Sequence, residues 1–176
     1  TNNPIPPYPV VFTREATTLV GHGQPMVRPK ASVQLDFEAE LAVVIGKTAR
    51  HVSKARALDY VAGYSCFNDG SIRDYQRHTT QFWAGKNFDR SGSMGPWLVT
   101  ADELTDPAAQ SMTTRLNGTV MQSTPISDLA FGIPALIAYI STVTELLPGD
   151  GFKYLFDNKQ QNDAYVSILA NVILSF

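Results

Sequence analysis

Residues 35–46 read "LDFEAELAVVIG", a segment in which one set of alternate side chains is apolar throughout. Successive side chains of a β-strand point to opposite faces, so residues two apart share a face. The apolar face would carry Leu35, Phe37, Ala39, Leu41, Val43 and Ile45. The other face begins with Asp36, Glu38 and Glu40. The pattern predicts one continuous β-strand with a buried face, which constrains the fold more than any other feature of the chain.

Glu38 and Glu40 would lie roughly 7 Å apart on such a strand. Two carboxylates at this spacing repel each other, yet they are close enough to hold one cation between them. A charge that lies against a core also needs a partner. Two interpretations are open at this point: a cation site, or an ordinary solvated strand face on which acidic pairs are common.

The composition is that of a globular protein with one domain and a substantial core. The chain has 176 residues, 44% hydrophobic and 17% charged, with a formal net charge of −2. This charge gives no reason to expect nucleic acid. The single Cys66 and a Pro-rich opening unlike a signal segment favour a cytoplasmic protein. The apolar run at residues 164–176 is interrupted by polar side chains and is too short for a membrane span.

Local signals elsewhere predict strands and helices without an internal repeat or a linker. Ser53 resembles the N-cap of a helix through "KARALDYVA" that ends at Gly63, and residues 64–67 then indicate a second strand. The segment "MTTRLNGTVMQS" predicts a β-hairpin, because Asn-Gly favours a type I′ turn. Residues 133–147 have helical periodicity with Pro134 in the first turn. The predicted class is α+β, mainly β.

A polar cluster, "NDGSIRDYQ", occupies residues 68–76 at the end of the second strand, where binding groups tend to lie. Within it, Asp69 is the best candidate for a third carboxylate beside Glu38 and Glu40. Three carboxylates suit a hard cation such as Mg²⁺, Mn²⁺ or Ca²⁺. One cysteine and three histidines without ligand spacing argue against zinc. The alternative is that Asp69 is only a turn residue.

Other side chains near this cluster are candidates for substrate contacts. Lys86, in "FWAGKNFD", could neutralise an oxyanion or could be an ordinary surface lysine; its segment does not match a phosphate-binding loop. Arg73 and Gln76 could bind a carboxylate or a carbonyl. Alternatively, Arg73 is a structural ion-pair residue with Asp74, which is itself a rival metal ligand. A thiol nucleophile at Cys66 is disfavoured, because a lone cysteine in an apolar strand is usually buried and inert.

Taken together, the motifs resemble the fumarylacetoacetate hydrolase family. The residues that carry the resemblance run in order from about Pro9 to Asp150. They are "FEAELAVVIGKTARHVSKARALDYVAGYSCFNDGSIRDYQ", "GKNFDRSGSMGPWLVTADEL", "LNGTVMQ" and "LLPGD". The combination of E-x-E with N-D-x-S-x-R-D-x-Q and G-K-x-F-D is highly specific. The chain looks like a small bacterial-type member, similar to acylpyruvases and to 2-hydroxyhepta-2,4-diene-1,7-dioate isomerases.

The resemblance implies a mixed β-roll or sandwich with a few flanking helices, a homodimer, and a small 2-oxo or 1,3-dicarbonyl acid as substrate. It implies a divalent metal ion, Mg²⁺ or Mn²⁺ or else Ca²⁺, with the ligands Glu38, Glu40 and Asp69. It implies substrate contacts from Arg73, Gln76 and Lys86, with Lys86 catalytic. The implied function is a metal-dependent hydrolase of C–C bonds that acts through a metal-stabilised enolate. An oxo-acid decarboxylase or a dienoate isomerase or hydratase of the same family is the alternative.

The sequence departs from the family in two main places. A His and a Glu usually precede the Pro-rich stretch with which this sequence opens, and we therefore expect a single catalytic domain, 1–176, without the usual N-terminal lid segment. After "LLPGD" the family continues into a strand and a Gly-Thr-Pro loop beside the substrate. Here the chain reads "GFKYLFDNKQQNDAYVSILANVILSF", an atypical tail from about residue 151. Arg14 also stands where a lysine is commoner.

Two functions of other classes are also open. One is a catalytically silent homologue that keeps the cation site and serves metal binding or oligomerisation. The other is a ligand-binding β-sandwich module, which would not need the three carboxylates for affinity.

Overall fold

A computed structural model describes residues 5–155 and 165–169 of the chain. Its strands are β1 Val10–Arg14, β2 Leu19–Gly21, β3 Leu35–Asp36, β4 Ala39–Ile45, β5 Val61–Asn68, β6 Ser71–Ile72, β7 Gly92–Met94, β8 Val99–Thr100, β9 Ser111–Leu116, β10 Thr119–Pro125, β11 Gly151–Leu155 and β12 Tyr165–Leu169. Its α-helices are α1 Arg73–Gln76, α2 Trp83–Lys86 and α3 Ile133–Val143. Short 3₁₀ helices lie at Ala16–Thr18, Lys54–Tyr60, Pro107–Ala109 and Ile126–Asp128. The predicted α+β class, weighted toward strands, is confirmed.

One mixed sheet contains most of these strands, in the order β1-β12-β11-β4-β5-β7-β2, with β8 paired to β5. Its neighbours pair antiparallel except for β1 with β12 and β2 with β7, which are parallel. β9 and β10 form a separate hairpin, and β3 and β6 form a short pair. β4 therefore lies in the middle of the sheet, with a hydrogen-bonded neighbour on each side.

The prediction of one continuous strand over residues 35–46 is wrong, because β3 and β4 are separated by Phe37 and Glu38. At this break the Phe37 N–H donates to the Asp36 side chain at 2.9 Å. The Glu38 N–H donates to the Asn68 side chain at 3.2 Å. Side-chain oxygens thus replace the backbone carbonyls that would accept these hydrogen bonds in a continuous strand. The alternating sequence pattern does not reveal this replacement.

The apolar face of β4 packs against α3. The helix buries apolar side chains at the spacing of one helical face, namely Ile133, Leu136, Ile137 and Ile140. They belong to one core cluster with Leu41, Val43, Ile45 and Phe152. Each such side chain contributes about 1.5–3 kcal/mol when it is fully buried, so this layer is the main hydrophobic support of the sheet.

α3 ends at Val143 rather than at the predicted residue 147. Thr144 has extended backbone dihedrals, φ −134° and ψ 159°. Leu146 then forms an isolated bridge with Ala49, which withdraws these residues from the helix. The Arg50 guanidinium donates to the carbonyl oxygens of Ser141 and Thr142 at 2.8 Å each, and it satisfies carbonyl groups that a helix end leaves free.

The helix predicted after Ser53 is a 3₁₀ helix that stops at Tyr60, and its predicted last residues lie in β5. Ser53 is at the N-cap position, but its side chain makes no capping hydrogen bond. Gly63 lies inside β5 instead of ending a helix. A Cβ atom at Gly63 would lie 2.3 Å from the carbonyl oxygen of Val99 in β8. Glycine therefore allows β8 to approach, and that pairing overrides the local helical preference.

The predicted hairpin is confirmed in β9 and β10. The φ angles of Asn117 and Gly118 are 51° and 83°, both positive, as a type I′ turn requires. The atypical tail begins with β11, which pairs antiparallel with β4. Parts of the tail, residues 156–164 and 170–176, lie outside the described residues. None of the helices in the described ranges combines the length and the apolar character needed to cross a membrane.

Candidate functional site

Three acidic side chains meet on the polar face of β4. Glu40 lies opposite Phe67 of β5 in the sheet register. Asp69 follows Phe67 by two residues, and its backbone N–H donates to the Glu38 carbonyl at 2.8 Å. The carboxylates of Glu38, Glu40 and Asp69 each offer an oxygen, and these atoms lie within 4.8 Å of one another. The structure therefore brings together the three residues predicted as ligands, and their role stays a prediction.

All three carboxylates are buried, with relative exposures of 2% for Glu38, 1% for Glu40 and 0% for Asp69. The alternative of a solvated strand face does not describe them. Burial of ionised groups is costly unless they are paired and hydrogen-bonded. The surrounding side chains supply this pairing.

Lys86, at the end of α2, contacts two of the carboxylates and is itself fully buried. Its Nζ donates to Glu38 Oε2 at 2.5 Å, to Asp69 Oδ2 at 2.8 Å and to Ser71 Oγ at 2.6 Å. An ammonium group has three N–H donors, so these contacts engage all of them. The interpretation of Lys86 as a surface lysine is wrong, and its charge belongs to the acidic cluster.

Two guanidinium groups pair with acids of the cluster. Arg14 pairs with Asp69 and also donates to Thr18 Oγ1 at 3.0 Å and to Ser91 Oγ at 2.7 Å. Arg73 pairs with Glu38 and donates through two nitrogens to Asp36 Oδ2, at 2.9 and 2.8 Å.

Gln76 also contacts this network, since its Oε1 accepts from Arg73 at 2.9 Å. Asp74 accepts from Ser32 Oγ at 2.7 Å, and it does not belong to the carboxylate group described above. Arg73 and Gln76 are therefore next to the predicted ligands.

Lys153, in β11, is a fourth basic partner that the sequence analysis missed. Its Nζ lies 2.6 Å from Glu40 Oε2 and 2.5 Å from Asp69 Oδ2, and the side chain is fully buried. The same Nζ lies over the rings of Phe67, 4.6 Å from the centroid, and Phe12, at 5.7 Å. Aromatic faces attract a cation at these distances.

Burial and neighbouring charges shift the acid–base properties of these groups in different directions. Burial raises the pKa of Glu40 to about 8, and the Lys153 ammonium offsets this only in part. Burial acts in the same direction on Asp69, but three cations, first of all Lys153, hold the pKa of that carboxyl below its ordinary value. Burial also lowers the pKa of Lys153, whereas the three carboxylates raise the pKa of Lys86 despite its burial. Asp69 is thus more firmly ionised than Glu40.

The chemistry of the donor set fits a hard divalent cation. Mg²⁺, Mn²⁺ and Ca²⁺ bind carboxylate oxygens, and three carboxylates leave positions for water or a substrate. The group found among the described residues contains no His or Cys, which disfavours zinc. Lys153 is bonded to two of the three acids in this structure, so a divalent cation would have to compete with its ammonium.

A cavity of about 380 Å³ lies near the cluster but is lined by none of the three acidic side chains. Its walls include Ala39, Cys66, Met94 and the β9 residues Met112–Arg115. Cys66 is exposed, so the expectation that it is buried is wrong. The reason is that this part of β5 borders the cavity rather than the core under α3.

Comparison with known proteins decides the family. The sequence profile described as "Fumarylacetoacetate (FAA) hydrolase C-terminal" matches residues 1–152. The chain belongs to the fumarylacetoacetate hydrolase family. A Burkholderia ambifaria protein that is named only provisionally as a hydrolase is 43% identical over 148 residues, which are 84% of this chain and 52% of that protein. The chain thus spans about half the length of the curated relative.

Solved structures of this family share the fold. The 2-hydroxyhepta-2,4-diene-1,7-dioate isomerase of Mycobacterium marinum matches with a TM-score of 0.72 and 30% identity over 89% of this chain and 67% of the isomerase. The fumarylacetoacetate hydrolase of Exiguobacterium antarcticum matches with a TM-score of 0.70 and 27% identity over 87% of this chain and 63% of that hydrolase. The predicted fold of the fumarylacetoacetate hydrolase family is confirmed, and its members include both hydrolases and isomerases.

Three residues of the cluster were not predicted from the sequence, namely Arg14, Ser71 and Lys153. Arg14 could have been found from the sequence. It stands where the family commonly has a lysine, so the positive charge at that position is retained. Ser71 lies within the family motif N-D-x-S-x-R-D-x-Q. Lys153 had no signal, since it follows directly after the last residue matched by the family profile.

Proposed function

We propose that this chain forms the catalytic part of a metal-dependent hydrolase that cleaves a C–C bond in acylpyruvate-like 2-oxo acids. The observation that carries the proposal is the convergence of three buried carboxylates within 4.8 Å of one another, beside the fully buried Lys86. Burial of so many charges in one place costs desolvation free energy, and we attribute this cost to a function.

Glu38, Glu40 and Asp69 would hold the cation. A hard divalent cation, when bound, supplies Lewis-acid polarisation of the substrate's oxo group. In the reaction, water adds to the acyl carbonyl carbon and the bond from this carbon to the neighbouring methylene breaks. The electron pair passes to the enolate of the 2-oxo acid, which then takes up a proton, so the products are a carboxylic acid and a shorter oxo acid.

Lys86 supports this reaction by its charge. Its ammonium lies between Glu38 and Asp69 and stays protonated, since the carboxylates raise its pKa. Its N–H donors are engaged by those two residues and by Ser71. A direct hydrogen bond to the enolate requires that one of these contacts opens. A well-placed donor of this kind is worth about 2.7–4 kcal/mol of transition-state stabilisation.

Arg73 would bind the substrate's carboxylate. Its guanidinium already binds a carboxylate through two nitrogens, that of Asp36, whose side chain is 41% exposed. A substrate carboxylate could take the place of Asp36 on this fork, because Arg recognises carboxylates in a bidentate manner. Gln76, bonded to Arg73, would fix the orientation of the guanidinium.

We also propose that the protein acts as a homodimer. The support is the family membership together with exposed apolar side chains on the β9–β10 hairpin, namely Leu116, Val120 and Met121. Light scattering coupled to gel filtration would show a mass of two chains, and a mass of one chain at all concentrations would contradict a dimer.

Assays with the isosteric variant Glu40→Gln test the proposed function. The full chain with Mn²⁺ is incubated with acylpyruvates, oxaloacetate and dienoic oxo acids, and the loss of enol absorbance is followed. We expect turnover by the wild-type chain, and loss of both Mn²⁺ affinity and turnover in the variant. The matched control is Glu103→Gln at an exposed position, which should change neither. Unchanged metal affinity and turnover in Glu40→Gln would refute the proposal.

A second candidate is a catalytically silent homologue that keeps the cation site. It is favoured by the burial of the whole cluster and by the absence of Glu38, Glu40 and Asp69 from the walls of the neighbouring cavity. Tight Mn²⁺ binding without turnover of any acid in the panel would support the silent homologue over the hydrolase.

A further inference from the structure

Lys153 is held in the acidic cluster by the strand register. In the pairing of β11 with β4 it lies opposite Ala42, and Glu40 is two residues from Ala42 on the same face of the sheet. Its neighbour Phe152 points to the other face, where it belongs to the apolar core. The direction of the Lys153 side chain therefore follows from the sheet, and a small change of rotamer cannot move it to the opposite face.

Family membership does not explain the presence of Lys153 in the cluster. The family profile ends at residue 152, and Lys153 is the next residue. Its ammonium contacts Glu40 Oε2 at 2.6 Å and Asp69 Oδ2 at 2.5 Å. These are two of the three carboxylates that would hold a divalent cation.

Basic side chains of the chain itself already contact every acid of the cluster. Among the described residues, the salt bridges of the cluster join four acids to four bases. The acids are Asp36, Glu38, Glu40 and Asp69, and the bases are Arg14, Arg73, Lys86 and Lys153. A divalent cation added to this set would place further positive charge beside basic side chains that are themselves buried, and like charges repel strongly where water is excluded.

Of the four bases, Lys153 is the one that a metal would replace. Arg14 and Arg73 are each held by further contacts, to Thr18 and Ser91 and to Asp36. Lys86 has a third acceptor in Ser71. Within residues 5–155 and 165–169, the hydrogen bonds and salt bridges of Lys153 are made only to Glu40 and Asp69, the candidate ligands themselves.

We infer that Lys153 is an internal cation that competes with a divalent metal ion for Glu40 and Asp69, so that the metal binds only when the ammonium withdraws. This inference rests on the proposed function in one respect, that the three carboxylates are a cation site. Under this inference, Lys153, a residue of the atypical tail, controls the access of the metal ion to the three carboxylates. Removal of the ammonium then tightens metal binding, because the competing charge is gone.

The test compares Mn²⁺ affinities of full-length variants by isothermal titration calorimetry and by the electron paramagnetic resonance signal of free Mn²⁺. Lys153→Met removes the charge, and Lys153→Gln removes it while it keeps a hydrogen-bond donor. Lys47→Met is the matched control, because Lys47 is exposed just after β4 and the variant loses the same charge. Circular dichroism establishes that each variant is folded.

We expect both Lys153 variants to bind Mn²⁺ roughly tenfold more tightly or better, which corresponds to about 1.4 kcal/mol. Lys47→Met should bind as the wild-type chain does. Equal or weaker binding by the Lys153 variants, while Glu40→Gln abolishes binding, would overturn the inference and leave the proposed metal site intact. Absence of Mn²⁺ binding in the wild-type chain and in every variant would overturn both.

A measurement on the wild-type chain covers the case in which the variants do not fold. Acetic anhydride modifies exposed lysine amines, and mass spectrometry of peptides reports the modification of Lys153. We expect Lys153 to be protected without Mn²⁺ and to become modified at saturating Mn²⁺, while Lys47 reacts equally in both. Unchanged protection of Lys153 with Mn²⁺ bound would overturn the inference.

Discussion

The two faces of β4 differ as much as any two environments in the molecule, although their side chains are adjacent in sequence. On one face, Leu41 and Val43 pack into the apolar core under α3. On the other face, Glu40 lies among carboxylates and ammonium groups with 1% of its surface exposed. Both faces are dry. Burial therefore does not distinguish core from site in this fold, and the kind of partner does.

The two faces also contribute to stability in different ways. The apolar face gains free energy from each side chain that it removes from water. On the charged face, the attraction between opposite charges is largely offset by the loss of their hydration. A buried charge network of this size is weak evidence for stability and is better explained by a function.

The largest effect should come from the removal of one charge from the charged face. Asp69→Ala leaves Arg14, Lys86 and Lys153 without their shared partner. We expect the free energy of unfolding to fall by about 3–5 kcal/mol, measured by urea denaturation. The control Asp59→Ala breaks an exposed pair with Arg56 and should cost about 1 kcal/mol or less. Similar losses in both variants would show that the cluster is not buried in solution.

A cavity in the apolar face should cost nearly as much but should leave the charged face intact. Leu136→Ala removes a fully buried side chain of α3, with an expected cost of about 2–5 kcal/mol in the free energy of unfolding. Val143→Ala, at an exposed position of the same helix, is the control for helix propensity. Calorimetry on the folded Leu136→Ala variant should give the wild-type Mn²⁺ affinity. A large change in that affinity would mean that the two faces are coupled.

Replacement of a whole ion pair should cost less than the two single replacements added together. We expect Glu40→Leu and Lys153→Met together to destabilise the chain less than the sum of the single variants, with a coupling of about 0.5–3 kcal/mol. The physical reason is that the double variant leaves no unpaired buried charge. Urea denaturation of the four proteins of the cycle measures the coupling, and additive effects would contradict the paired arrangement.

The smallest effect should come from a position that belongs to neither face. Gly118 has a φ of 83°, and a Cβ atom there would meet no atom within 4 Å. Gly118→Ala should therefore cost only the conformational penalty, about 1–2 kcal/mol, in thermal or urea unfolding. A loss as large as that of Leu136→Ala would show that the hairpin packs on another surface.

The sequence predicted the features that depend on local patterns. The alternation over residues 35–46 predicted the orientation of Glu40, the Asn-Gly pair predicted the hairpin, and Pro134 predicted the start of α3. The ends of elements were wrong where a distant segment decides the conformation. Leu146 leaves the helical pattern to pair with Ala49.

The partners of the acidic cluster were the least predictable part of the site. The pairing of Asp69 with Lys153 joins residues far apart in sequence, through a register between β11 and β4 that no local pattern contains. Lys86 was a candidate from the sequence itself, but only the family resemblance favoured the site over a surface position, because a lysine is ordinarily exposed. The three carboxylates of the site could be inferred from the sequence. The basic residues that pair with them could be identified only from the structure.

The position of a bound metal tests the central claim most directly. Crystals of the full chain grown with Mn²⁺ are measured at the manganese absorption edge, and an anomalous difference map locates the ion. The account predicts one peak about 2.0–2.6 Å from oxygens of Glu38, Glu40 and Asp69, the range in which carboxylates bind hard divalent cations. A map without a peak at these three carboxylates, from crystals in which Mn²⁺ is bound elsewhere or not at all, would contradict it.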